Sequence, residues 1–438
     1  MRRRGGVLLA LLQNPAISNL LNRGAWGLAD QALLSLATFI TLALIARANS
    51  LSEFGVFSLA FAFINLQMTV AAALLTEPFA VIAAAYDKER YKAYVTSMYL
   101  MHLSFGLIVS LGLVVTAAIF FAFGWDRAEL VLLVIPAMLA WQIQDYTRQP
   151  LYVEGRVAGA FFNDLVSYGG QIVFVAVGLY LDVLTSVAAL AIVAATSTAA
   201  ILFGLYQLRG SIAPRFSFNE AFGFLSETWR FGRWTLGGTF LVSSSYYLQP
   251  FVLAAFRSAA AAGELRAMLT LMGPARIIIR GALTAFTPLA AATYEAEGLN
   301  SLHSLVKRTF MLAAPLMGTY CLLVAIKPTT LVTFLLGEEY AARADWLLPL
   351  VAFSFFLQIV SLPFDIGLRA LRITSPLFRV GVWTFIAFWC VGVPATYFFG
   401  LAGAVMMAIL VPLIVIMELG WNYRRTIARG ENAVLSSR

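Results

Sequence analysis

The chain has 438 residues, 61% of them apolar and only 12% charged, with a mean hydropathy of +0.83. A soluble globular domain carries about 25% charged residues, so composition excludes that class and points to an integral membrane protein. The net charge of +8 and pI of 9.6 do not indicate nucleic acid, because the basic residues cluster between apolar runs, where they report topology and anionic lipid.

Nearly uncharged runs of about 18 residues or more recur along the chain, each long enough to cross the hydrocarbon core as a helix. The sequence therefore predicts an all-α polytopic membrane protein with about twelve transmembrane helices. The predicted spans are 24–46, 54–75, 95–122, 129–147, 159–180, 185–207, 234–256, 264–292, 307–326, 346–366, 375–399 and 401–421. A transmembrane β-barrel would instead need strands of about ten residues with polar alternation.

Residues 1–23 open with Arg2, Arg3 and Arg4 before a short apolar run, which suits an interfacial helix on the cytoplasmic leaflet. Residues 24–207 form a first lobe of six spans, and 208–233 are expected to link the lobes along the membrane surface, with Phe216, Phe218, Phe222 and Phe224 against lipid. Residues 234–423 form a second six-span lobe, entered through a short amphipathic connection at 294–308, and 424–438 are a polar tail expected to be disordered. With the N-terminus in the cytoplasm, inward segments hold 22 basic residues and outward segments six, so both termini are expected to be cytoplasmic.

The two lobes share a repeat. A shift of 208 positions sets Gly24, Trp26, Leu28, Ser50 and Gly55 on Gly232, Trp234, Leu236, Ser258 and Gly263. Two apolar helices can share letters by chance, but the fixed offset and the glycine after each polar elbow favour duplication, a common plan for transporters.

Cys321 and Cys390 each sit alone in an apolar span and are expected to be buried small residues. His102 and His303 have no ligand-spaced companions, and neither a phosphate-cradling loop nor a nucleophile motif is present. The expectation is a protein that is not an enzyme, without metal or organic cofactor, with H+ or Na+ as a coupling ion to consider.

Charges within the spans are the candidate functional residues, because they are costly in lipid and need a cavity or partner. Arg276 and Arg280 lie four apart on one helical face, with Pro274 before and Pro288 after, so this helix is expected to bend or unwind beside a cavity. They are candidates to bind an anionic group, the alternative being that they pair with Asp365 or another acid. Asp365 itself has Arg369 one turn on.

The other acids in or near spans are Asp30, Glu77, Asp145, Asp164 and Glu418. Asp30, Gln31 and Glu77 are candidates for proton or ion coupling, against an ordinary interhelical hydrogen bond for Asp30 and a reach to the interface for Glu77. Pro78 and Pro288 resemble a repeated helix break. Tyr246, Tyr247 and Gln249 could contact sugar rings, although aromatics in such spans more often pack.

The Ala29-Asp30-Gln31 opening, Ala46-Arg47, the elbow from Leu51 to Phe57, Thr287-Pro288-Leu289-Ala290 and the turn from Leu371 to Pro376 together resemble polysaccharide-export flippases. These are the Wzx-type O-antigen or exopolysaccharide translocases of the multidrug, oligosaccharidyl-lipid and polysaccharide exporter (MOP) superfamily. The resemblance implies two six-helix bundles forming a V around a central cavity that opens alternately to each side. The cargo it implies is an isoprenoid-pyrophosphate-linked oligosaccharide, flipped in the bacterial inner membrane, with a polymerase and glycosyltransferases as pathway partners. Arg276 and Arg280 would then meet the pyrophosphate.

A cation-coupled multidrug antiporter of the same superfamily is the first alternative; it would use acids such as Asp30 on a cationic cargo. A major-facilitator transporter, a lipid II flippase and a non-transporting scaffold for polysaccharide assembly are the others. Residues 86–92 lack the glycine-rich basic motif of the first, and a scaffold has little use for intramembrane charge.

Overall fold

The computed structural model describes residues 15–124, 128–214 and 217–436, and every regular element within them is a helix. The segment with Arg2, Arg3 and Arg4, expected at the interface, lies outside the described residues. Helices form at all twelve predicted places, and ten of them are long and apolar enough to cross a membrane. The other two, Ala128–Val153 and Phe218–Phe256, carry mid-helix polar residues such as Gln142, Gln144 and Gln249. Those groups are buried and bonded inside the protein, which is how an otherwise apolar helix tolerates them.

The described chain divides into two compact units. One draws on residues up to Thr38 with Ala71–Val177 and Val187–Arg233; the other holds Phe39–Val70, Gly178–Ser186 and the chain from Trp234 onward. In the second unit the helix Ala344–Ala370 is the core element, with residues such as Leu347, Val351 and Ile359 fully buried. It packs against Leu299–Ile326 and Leu401–Ser436.

The two copies of the repeated elbow fold alike. Ser50 and Ser258 each start a helix by accepting a backbone N–H three residues on, from Glu53 and Ala261, at 3.3 and 3.2 Å. One turn later Gly55 and Gly263 meet within the second unit. A Cβ on Gly55 would stand 1.9 Å from the Ala259 carbonyl oxygen, and one on Gly263 would stand 2.8 Å from Gly55 Cα. Only glycine lets the backbones approach so closely.

Several helices run past their predicted ends. The expected surface linker is in its second half the start of Phe218–Phe256, continuous with the seventh span. Phe218 and Phe222 are exposed, but Phe224 is not a surface residue: it packs among Phe79, Tyr94 and Tyr146. Phe216 lies outside the described residues. The Tyr86 hydroxyl donates to Glu227 at 2.6 Å, and burial together with that carboxylate pushes it up to about 12, so it stays a donor. After Arg424 the expected disordered tail is absent, because Leu401–Ser436 continues as one helix.

Other expectations are also corrected. Pro78 follows a π-helical turn at Ala72–Thr76, whereas Pro288 sits inside the unbroken helix Gly273–Glu297, so the two prolines are not a repeated break. The break in that span lies at Met272, between Ala259–Leu271 and Gly273–Glu297. Pro274 causes it, lacking the N–H that the Thr270 carbonyl would otherwise receive. Cys321 is buried and donates to the Ala352 carbonyl at 3.3 Å, but Cys390 is exposed.

Candidate functional site

Two clusters of charge stand out, one in each unit. The first is built on Ala128–Val153, where Gln144, Arg148 and Tyr152 follow one another at intervals of four and so form one helical stripe. Each reaches an acid. Gln144 donates to Asp164 Oδ1 at 2.7 Å, Arg148 to Asp164 Oδ2 at 2.7 Å and to Asp145 Oδ1 at 2.6 Å, and the Tyr152 hydroxyl to Asp30 Oδ2. Asn163 completes the network, accepting from Gln144 at 3.2 Å and donating to the Ala200 carbonyl at 2.7 Å.

Asp164 ends the helix Val157–Asp164 and is followed by a π-helical turn, Leu165–Gly169. Such wide turns re-aim side chains and often accompany functional sites. Asp30 and Asp164 are both fully buried, and donors from the one helical stripe reach both. Two ionised carboxylates have no proton to share, and Asp30 Oδ1 meets no donor. A proton or small cation between them would satisfy it. Two carboxylates hold one guanidinium here and a third, Asp30, joins the same network through Tyr152, so full ionisation would leave excess negative charge in a low-dielectric interior.

The second cluster has the opposite sign. Arg276, in the first turn of Gly273–Glu297, donates to the Tyr246 hydroxyl, and Arg266 on Ala259–Leu271 lies close enough to Tyr246 and Arg276 to feel both electrostatically. Arg266 lies over the Phe61 ring at 4.6 Å, and Arg276 stands 5.5 Å from the Tyr246 ring and 5.7 Å from Phe355. Tyr247 sets its edge against Tyr246 at 5.1 Å. Neither arginine pairs with an acid among the described residues, and Arg266 Nε is buried without a partner. Two guanidiniums thus gather near one tyrosine, an arrangement that an anion with several oxygens would occupy favourably.

The remaining sequence candidates stand apart from these clusters. Arg280 is exposed and does not join Arg276 at Tyr246. Gln31 and Glu77 are exposed, without a side-chain bond or ion pair among the described residues. Gln249 is buried and donates to Thr396 Oγ1 at 3.0 Å, leaving its own Oε1 unpartnered. The alternative that Asp365 neutralises Arg276 fails, since Arg369 binds Asp365 at 2.6 Å, and Glu418 is held by Arg379 at 2.6 Å.

The sequence reading counts Arg148, just past the span 129–147, and Arg266, at the edge of the span 264–292, among flanking basic residues, and so misses both as site candidates. Arg148 was detectable three residues after Asp145, a helical spacing. Nothing local marks Arg266.

No protein-family model matches the chain, and neither does any curated protein. Solved structures do. The chain is similar to the inward-facing form of a multidrug resistance MATE family transporter of the MOP superfamily, at 16% identity and a TM-score of 0.61 over 94% of this chain and 96% of that one. A MOP superfamily transporter from Pyrococcus furiosus, described as having a binding pocket of reverse polarity that suggests a different function, is 14% identical with a TM-score of 0.59, covering 94% and 95%. A mutant form of a Vibrio cholerae MATE transporter is 12% identical, again with a TM-score of 0.59, covering 94% and 97%. The chain therefore has the fold of the MATE transporters over nearly its whole length.

Proposed function

We propose that this protein is an alternating-access flippase of the bacterial inner membrane, with both termini cytoplasmic. Its cargo is an isoprenoid-pyrophosphate-linked oligosaccharide, carried to the outer leaflet for O-antigen or exopolysaccharide assembly by a downstream polymerase and glycosyltransferases. The observation that carries this reading is that Arg276, bonded to Tyr246, and the neighbouring Arg266 have no acid partner among the described residues. A cation within a membrane helix and without a counter-charge is unfavourable, and a pyrophosphate supplies the missing charge with several acceptor oxygens. The neighbouring Tyr247 offers an aromatic face on which a sugar ring can stack.

The cation-coupled multidrug antiporter is the second reading. The acidic network around Asp30 and Asp164 favours it, and the MATE fold accommodates it equally well. In the flippase reading the same network serves as the coupling site for H+ or Na+.

Reconstitution into liposomes separates the two. Transfer of a lipid-linked oligosaccharide, stimulated by a proton or sodium gradient, is expected of the wild-type protein and is lost in the Arg266→Ala, Arg276→Ala double variant. Movement of a fluorescent cationic drug with no glycolipid transfer would overturn the flippase reading.

A further inference from the structure

The two arginines of the basic cluster are ten residues apart, which in an uninterrupted helix is a rise of about 15 Å. Both nevertheless come close to Tyr246, and the helix is interrupted between them at Met272. The interruption is costly in a membrane, where every backbone group has to find a partner inside the protein. Pro274 withholds its donor from the Thr270 carbonyl, which takes the Met272 N–H instead, and the preceding turn ends with its carbonyls in need of bonds.

A residue from another helix meets that need. Tyr320, half-buried on Leu299–Ile326, donates its hydroxyl to the Leu271 carbonyl, the last of the first segment. On the other side of the break Gly273 lies against Phe39, whose Cβ and Cδ2 would be 3.3 Å from a Cβ there. The broken ends are therefore held by one polar contact and one apolar contact, both within the second unit. Tyr320 touches neither arginine; it acts on them through the backbone.

We infer that Tyr320 is a positioning residue for an anion site: by capping Leu271 it holds open the helix break that lets Arg266 and Arg276 converge. This rests on the pyrophosphate reading of the cluster. Loss of the Tyr320 hydroxyl frees the Leu271 carbonyl to draw the chain back towards continuous helix, which carries the two guanidiniums apart. Pro274→Ala acts on the same break from the other direction, by restoring the missing donor to Thr270.

The test uses the full chain in nanodiscs, with inorganic pyrophosphate as the probe, its affinity measured by calorimetry and unfolding followed without ligand. Tyr320→Phe keeps the ring and is expected to weaken pyrophosphate about tenfold, the scale of one hydrogen bond. Pro274→Ala is expected to weaken it similarly while raising the unfolding temperature, since it replaces a break by helix. Opposite movement of affinity and stability is what a merely structural role would not give. If the wild type binds pyrophosphate and both variants bind it equally well, the positioning role is overturned and the anion site stands. If the wild type does not bind it and Arg266→Ala, Arg276→Ala still flips the glycolipid, the anion site falls, and with it the residue that would position it.

Discussion

The acidic cluster of the first unit and the basic cluster of the second treat their charges in opposite ways. In the first, Arg148 is divided between Asp145 and Asp164, and Tyr152 and Gln144 supply further donors, so most of the charge is answered inside the protein. In the second, Arg276 bonds to Tyr246 with Arg266 nearby, and no acid among the described residues answers either. The repeat sharpens the contrast: the shift of 208 that pairs the elbows sets Asp30 on Gly238 and Ser58 on Arg266. A duplicated helix pair can keep its elbow while its charged side chains change sign. One cluster answers its charge inside the protein, and the other leaves two guanidiniums without a counter-charge among the described residues.

The contrast breaks most sharply in stability. Arg148→Ala strands Asp164 and Asp145 in the interior and is expected to cost about 3–5 kcal/mol, seen as a large fall in unfolding temperature in detergent. Arg276→Ala removes one of two like charges and should leave that temperature unchanged or higher. Equal losses would mean that the basic cluster is also structural, with an acid partner supplied from elsewhere.

The elbow comes next. Gly55→Ala puts a methyl group against the Ala259 carbonyl and is expected to destabilise by about 1–3 kcal/mol, an overpacking cost. Gly27→Ala meets nothing within 4 Å and is the control, expected within about 0.5 kcal/mol of wild type. A tolerated Gly55→Ala would show that the elbows are not pressed together.

Much of this was legible beforehand. Helix positions follow from apolar runs, and the Ser50 and Ser258 caps and the paired glycines from the repeat, because capping and close approach demand particular residue types at fixed spacing. Arg148 and Arg266, at the edges of predicted spans, were not legible as site residues. A hydropathy reading ends a span at a charge, but a helix whose charged face is satisfied by neighbouring helices runs on through it. Pro274 announced a break; its consequence depends on Tyr320, which lies 49 residues from Leu271 in sequence. Arg266 joining Arg276 in place of Arg280 is likewise a product of tertiary structure, since spacing alone favours the i, i+4 pair.

Asp30→Asn tests the acidic cluster as a site rather than a support. An amide oxygen can still accept from Tyr152, so stability should change by about 1 kcal/mol or less. What it cannot do is release a proton. Transport that depends on an imposed proton or sodium gradient in the wild type should become indifferent to the gradient in this variant. Retained gradient dependence would move the coupling site away from Asp30.

The smallest expected effect separates two arginines that sequence alone treats as equivalent. Arg276 and Arg280 are one turn apart, and on a helix with one wet face both would line it. Only Arg276 reaches Tyr246, while Arg280 is exposed on the same helix. Arg280→Ala should therefore leave pyrophosphate affinity within about twofold of wild type, whereas Arg276→Ala abolishes it, because charge-assisted bonds act only at contact range. If Arg280→Ala proves as damaging as Arg276→Ala, the anion is bound along the helix face rather than across the break. Arg266 would then lose its part in the site.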